Sequence, residues 1–134
     1  MADTSPKIAL LLTGNELMTG DIVDSNSAMI ATALLEQGYA VSIKVTVADA
    51  LDDLCSELNR LTLTSDVVLM NGGLGPTDDD LTATACAQVL GVPLVRHPVA
   101  LEHLEKIAET GLIKLNEANL KQTLLPDGLS LIHI

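Results

Sequence analysis

Three short apolar runs, each followed by a polar loop and then by a segment of helical period, constrain this chain more than any other feature. Lys7 to Leu12 reads KIALLL, Ala40 to Val47 reads AVSIKVTV, and Asp66 to Met70 reads DVVLM. Such runs between turn signals suit strands; the first and third have the continuous apolar character of strands buried on both faces, and the second alternates with β-branched residues. Between the first two, DSNSAMIATALLEQG offers Asp24 or Ser25 as a helix cap, sets Met29, Ile30, Ala33 and Leu34 on one face and stops at Gly38. Between the second and third, Leu51, Leu54, Cys55, Leu58 and Leu61 recur at helical spacing. A further helix is marked by Leu81, Ala85 and Val89 and ends at Gly91. A short extended piece around Pro93 to Val95 then leads to a helix from about Pro98 to Thr110. The alternation predicts an α/β fold, three layers α/β/α with a mostly parallel sheet. Leu125 begins LPDGLSLIHI, which reads as the start of one more strand. One domain, residues 1–134, is expected, with no internal repeat or linker.

Ligands of such folds sit at the loops that leave the C-terminal ends of the strands. Here those loops are residues 13–24 (TGNELMTGDIVD), 47–50 (VADA) and 71–80 (NGGLGPTDDD). The last sets three glycines against three aspartates. Glycines leave backbone amides open to an anion, while the carboxylates repel one; a divalent cation reconciles the two, so the pattern points to a phosphate held with a metal. Asp24, Asp49 and Asp80 are the candidate metal ligands, and the glycine turn with its helix N-terminus is the candidate anion site. Each has a plainer reading. Gly72, Gly73 and Gly75 serve equally as a tight turn, Asp49 and one of Asp78, Asp79 and Asp80 as helix caps, and Glu16, Asp21 and Asp24 as a solvated acidic loop.

Seven Lys and Arg residues against a net charge of -11 exclude the basic stripe that a nucleic-acid backbone demands. IALLL and VVLM are too short to span a bilayer, and MADTSPK lacks a signal peptide's basic and apolar regions, so a cytoplasmic protein is expected. Cys55 and Cys86 fall in apolar helical patterns and read as buried free thiols. His97 and His103 are too poorly spaced to share a metal and read as surface residues; His133 is uninformative. Neither GxxxxGK[ST] nor a dinucleotide GxGxxG is present.

TGNELMTGDIVDSN, the aspartate of VTVADA and NGGLGPTDDDLT resemble the N-terminal molybdopterin-binding-like domain of the competence/damage-inducible CinA family, related to MogA, MoaB and MoeA. NEANLKQTLLPDG is similar to a CinA pattern in which an Asn and a Lys-Gln pair precede Leu-Pro. The likeness covers roughly residues 7 to 130. It implies that Gly72, Gly73, Leu74 and Gly75 form the phosphate-contacting turn and that Asp80 and Thr82 stand in the D-x-T after it. It also implies that Asp49 is the acidic residue after the second strand, and that Glu16, Gly20, Asp24 and Asn26 belong to the first-loop pattern. Asp80 and Asp49 are thereby the implied catalytic residues. The implied activity is a cation-dependent ADP-ribose pyrophosphatase with Mg²⁺ or a similar ion; the related ligand is a pterin phosphate, and the implied assembly is a dimer or trimer. A non-catalytic binding or regulatory module on the same fold is the alternative. Asn15 departs from the family, which has Asp there, and the family domain continues with a glycine-containing segment past the position of Ile134.

Overall fold

The computed structural model describes residues 5–132. The chain divides into two compact units, the first ending at Gly73 and the second starting at Leu74. In the first lie β1 (Ile8–Thr13), α1 (Asn15–Thr19), α2 (Ser25–Glu36), β2 (Val41–Val47), α3 (Leu51–Thr64) and β3 (Val67–Asn71). In the second lie α4 (Thr82–Leu90), β4 (Leu94–Arg96), α5 (Pro98–Glu109), α6 (Glu117–Lys121) and β5 (Leu124–Pro126).

The first unit's sheet has the order β2-β1-β3 and is parallel throughout. β1 is central because every residue from Ile8 to Thr13 is buried, and only a strand covered on both faces can carry so continuous an apolar run. α3 packs on β1 and β3 through Leu54, Leu58 and Leu61, all buried. Each such leucine contributes about 1.5–3 kcal/mol of burial. α2 packs on β2, but its inward face is Ser27, Ile30, Ala31 and Leu34 rather than the expected one. Met29 is 66% exposed and Ala33 is exposed as well. From Ala28 to Leu35 the helix carries Thr32 as its one polar residue, so that stretch has no polar side to orient it and the partner strand chooses the face.

In the second unit, α4 packs on β4 and β5, and α5 packs against α6. β4 and β5 pair antiparallel, Leu94 with Pro126 and Arg96 with Leu124. The expected last strand therefore forms at Leu124–Pro126 and, among the described residues, not over 127–132. α1 and α6, five residues each, are too short for periodicity to announce them. α6 is set by Asn116, whose side chain accepts from the Asn119 amide at 2.8 Å. Cys55 and Cys86 are free and half-buried, and burial pushes the Cys55 thiol up. His103 is exposed as expected, whereas the Nδ1 atom of His97 is buried. His133 lies outside the described residues. Among those residues no helix is long and apolar enough to cross a membrane.

Candidate functional site

The apolar strands β1 and β3 each end on a polar residue, Thr13 and Asn71, and the register sets Asn71 beside Leu12 at one edge of the sheet. Gly72 follows directly. Its φ is +108, and a Cβ there would meet the Thr13 carbonyl oxygen well inside 3.0 Å, so no other residue fits. Asn26, near the start of α2, donates from Nδ2 to Asn71 Oδ1 at 3.0 Å. Around this edge lies a cavity of about 260 Å³ whose lining includes Thr13, Glu16, Asp24, Asn26, Asn71 and Gly72. The expected first-loop residues Glu16, Asp24 and Asn26 are thus brought together with the start of the glycine segment.

Asp49 overturns the plain expectation of a cap. The N-cap of α3 is Ala50, with no side-chain bond. Asp49 instead reaches across to the first loop: Thr13 Oγ1 donates to Oδ1 at 2.5 Å, and the Asn15 amide donates to Oδ2 at 2.9 Å. Asn15 returns the bond, its Oδ1 accepting from the Asp49 amide at 3.1 Å. Asn15 is therefore a partner of Asp49, a use that an amide oxygen serves as well as a carboxylate.

Asp24 does cap α2, accepting from the Ser27 amide at 2.9 Å. The Ser27 hydroxyl also donates to it, and Lys44 donates to both Ser27 Oγ and Asp24 Oδ2, at 2.9 and 3.2 Å. The Ser27 hydroxyl, then its amide, then Lys44 hold the Asp24 carboxyl below the usual carboxylate range. A depressed folded value means stability that is complete above the ordinary pKa of about 3.9 and lost as pH falls through the folded value. Asp24→Ala is expected to cost about 1 kcal/mol at neutral pH. In urea unfolding the deficit should hold steady above about pH 5 and shrink only as pH falls below the ordinary carboxyl value of about 3.9 toward the lower folded one, where the wild-type carboxyl protonates too; a deficit independent of pH would deny Asp24 its charged role.

In the second unit, Asp80 caps a turn of its own segment. α4 begins at Thr82 with Leu81 as an N-cap that makes no side-chain bond. Asp80 Oδ2 accepts from the Thr77 amide at 2.9 Å and lies 2.6 Å from the Thr77 hydroxyl. That hydroxyl also lies 2.5 Å from Asp79 Oδ1 and, having one proton, donates to one carboxylate at a time. The Thr77 hydroxyl, the Thr77 amide, the Gly75 amide and the charge of Lys121 hold the Asp80 carboxyl below its ordinary value. Gly75 lies close against this carboxylate, a Cβ on it falling 2.5 Å from Asp80 Oδ2, so a larger residue there would push the Asp80 side chain aside. Its amide and that of Thr77 are turned onto Asp80, which corrects the expectation that the whole turn offers open amides. Among the described residues, Gly73 and Leu74 donate their amides to no acceptor. Thr82 is buried.

A hard divalent cation takes oxygen donors, and Mg²⁺ is commonly held by one or two carboxylates together with the phosphate it carries. Among the described residues no three His, Cys, Asp or Glu side chains group to hold a metal. Asp49 has both oxygens engaged, and Asp24 is 19% exposed with Lys44 against it. The Glu16 carboxylate accepts no hydrogen bond among the described residues, and Glu16 lines the cavity. This all-oxygen set suits a cation that arrives on a phosphate better than a resident metal. Reading the sequence singled out none of Thr13, Asn71, Thr77 and Lys44, and it noted Lys121 and Gln122 only as the Lys-Gln pair before Leu-Pro, with no role. The signal for the first two was available: each is the polar residue that ends an apolar strand.

The sequence model of a probable molybdopterin binding domain matches residues 9–126. A CinA-like protein of Colwellia psychrerythraea is 53% identical over 129 residues, covering 96% of this chain and 30% of that protein. A CinA-like protein of Shewanella woodyi is 41% identical over 126 residues, covering 94% of this chain and 30% of that protein. The chain thus spans about 30% of the length of the curated relatives it matches. The crystal structure of CinA from Thermoplasma acidophilum, a protein of unknown function, superposes with a TM-score of 0.83 at 31% identity, covering 90% of this chain and 71% of that one. The molybdopterin biosynthesis enzyme MoaB of Thermus thermophilus gives 0.59 at 21% identity over 86% of this chain and 70% of that one, a likeness of fold.

Proposed function

Because the chain belongs to the probable molybdopterin binding domain family, and within it to the CinA proteins, we propose that its first unit binds the phosphate end of a nucleotide or pterin with a divalent cation. The reaction we assign is hydrolysis of ADP-ribose to AMP and ribose 5-phosphate. The carrying observation is the cavity at the C-terminal edge of the sheet, where the bare backbone of Gly72 faces Glu16, Asp24 and the two asparagines. At about 260 Å³ it is smaller than the roughly 300–1,000 Å³ of pockets for whole ligands. It takes one end of the ligand.

Hydrolysis adds one water across the pyrophosphate: the water oxygen joins one phosphorus, and the bridging oxygen leaves with the other phosphate. A bound cation supplies charge neutralisation and polarises the phosphate oxygens. Asn26 and Asn71 orient the phosphate end, and Glu16 accepts the water's proton. Asp49 fixes the first loop through Thr13 and Asn15. Asp80 keeps its proposed catalytic part as the ionised group of the second unit's loop. The rival reading is a binding module without turnover, favoured by the engagement of Asp49 and Asp80 by internal donors. A cytoplasmic location and self-association into a dimer or trimer belong to the same proposal; sedimentation tests the latter.

Incubating the purified chain with ADP-ribose, with and without Mg²⁺, and separating the products by chromatography is the test. Cation-dependent AMP and ribose 5-phosphate are expected, with a loss of about a hundred-fold or more in Glu16→Gln and in Asp80→Asn alike. Cation-dependent binding of ADP-ribose by calorimetry without products leaves the module; neither binding nor products sinks both.

A further inference from the structure

We infer that Lys121, the last residue of the short helix α6, and Gln122, its C-cap, are positioning residues for Asp80, holding carbonyls of the glycine loop so that the turn keeps its donors on the Asp80 carboxylate. The inference rests on the catalytic part proposed for Asp80. It concerns residues of the second unit alone.

Gln122 donates from Nε2 to the Leu74 carbonyl at 3.3 Å across 48 residues, and Lys121 donates from Nζ to the Thr77 carbonyl across 44. A trans peptide is planar, so its carbonyl and the amide of the next residue point in opposite directions. Drawing the Leu74 oxygen toward Gln122 therefore turns the Gly75 amide the other way. That amide donates to Asp80, and a Cβ on Gly75 would displace the same carboxylate. The Thr77 carbonyl, which Lys121 holds, also accepts from the Asp80 amide at 3.2 Å. One ammonium thus braces the turn at the residue whose own amide donates to the carboxylate at 2.9 Å. Gln122 thus fixes the peptide plane that aims the Gly75 amide at Asp80, and Lys121 fixes the Thr77–Asp78 plane that directly follows the second donor.

The helix carrying them is itself held. Thr123, 1% exposed, donates its hydroxyl to the Leu120 carbonyl at 2.7 Å. Its own carbonyl accepts from the His97 amide at 2.8 Å, which ties the end of α6 to the start of α5. Asn116 caps the other end, and Asn119 donates to the Lys114 carbonyl at 2.7 Å. A five-residue helix with a buried anchor at one end and a cap at the other is a fixed mount for two long side chains. Gly75, Thr77 and Asp80 alone would leave the turn free to rotate its peptides.

Lys121→Met, Lys121→Arg, Gln122→Ala and the double variant Lys121→Met/Asp80→Asn test this in the full chain, with circular dichroism confirming that each folds. Misplacement on the order of 1 Å costs about a hundred-fold, so Lys121→Met should lower kcat for ADP-ribose by roughly that factor with KM little changed. Lys121→Arg should recover most of the loss. Adding Lys121→Met to Asp80→Asn should cost little more, since both act at one carboxylate. Amide exchange of Gly75 and Thr77 should quicken about ten-fold or more in Lys121→Met and Gln122→Ala while α4 and α5 are unmoved. Normal kcat in Lys121→Met, or losses that multiply in the double variant, would overturn the positioning role while the hydrolysis reading stood. If the wild type hydrolyses nothing, that reading fails alone, and unchanged Gly75 and Thr77 exchange would overturn the positioning separately.

Discussion

Gly72→Ala is expected to lower the unfolding free energy by about 3 kcal/mol or more. Two costs add. A φ of +108 is one that a side-chain-bearing residue avoids, at roughly 1–3 kcal/mol. The new methyl also meets backbone, the Thr13 carbonyl oxygen, with the Thr13 methyl 3.0 Å away. A flexible side chain would yield, but this strand does not: β1 is buried along its whole length and paired on both sides, and Thr13 is tied to Asp49. Against the roughly 5–15 kcal/mol of a typical domain this is a large fraction. Urea unfolding monitored by circular dichroism should show an earlier midpoint with an unchanged slope. A shift equivalent to under about 0.5 kcal/mol would mean that the edge is loose and that Gly72 does not shape it.

Asp49→Ala is expected to cost about 2–4 kcal/mol and to release the first loop. Charge-assisted hydrogen bonds contribute about 1.5–3 kcal/mol each, and Asp49 accepts two. The larger share lies with Thr13, 5% exposed, whose hydroxyl would be left buried without an acceptor. The Asn15 amide is exposed and finds water, which discounts its part. Asp49→Asn keeps one acceptor oxygen and should fall between the two, while the helix α3 should be unaffected in either, because Asp49 does not cap it. Faster amide exchange in α1, read beside the unfolding midpoint, separates the fixing role from a cap: loss in α3 instead of α1 would restore the cap reading.

The parallel α/β class was legible because its signals are local. A continuous apolar run has one comfortable place, the middle of a covered sheet, and β1 occupies it. The leucines of α3 recur at the helical period beside charged residues, so its buried face could be named in advance, whereas α2 lacks the polar contrast and its face could not. Among site residues, Glu16, Asp24 and Asn26 were legible as a loop after a strand. Asp24 was legible as a cap, since its partner is three residues away. The roles of Asp49 and Asp80 were not, because capping is only the nearest of the uses open to an aspartate in front of a helix.

The choice was made by register. β2 pairs with β1 so that Thr13 stands opposite Val47, which carries VADA to the side of TGNEL and lets Asp49 bond Thr13 across 36 residues. β3 pairs so that Asn71 stands by Leu12, which presses Gly72 onto the Thr13 carbonyl and brings Asn71 to Asn26 across 45 residues. Lys121 and Gln122 reach their loop only because β5 pairs with β4 and α6 is tied in through Thr123. Periodicity and capping act over a few residues and so can be read from the chain alone. Which oxygen a carboxylate or an ammonium finds is decided by strand pairing, an alignment of segments far apart in sequence that no single segment encodes.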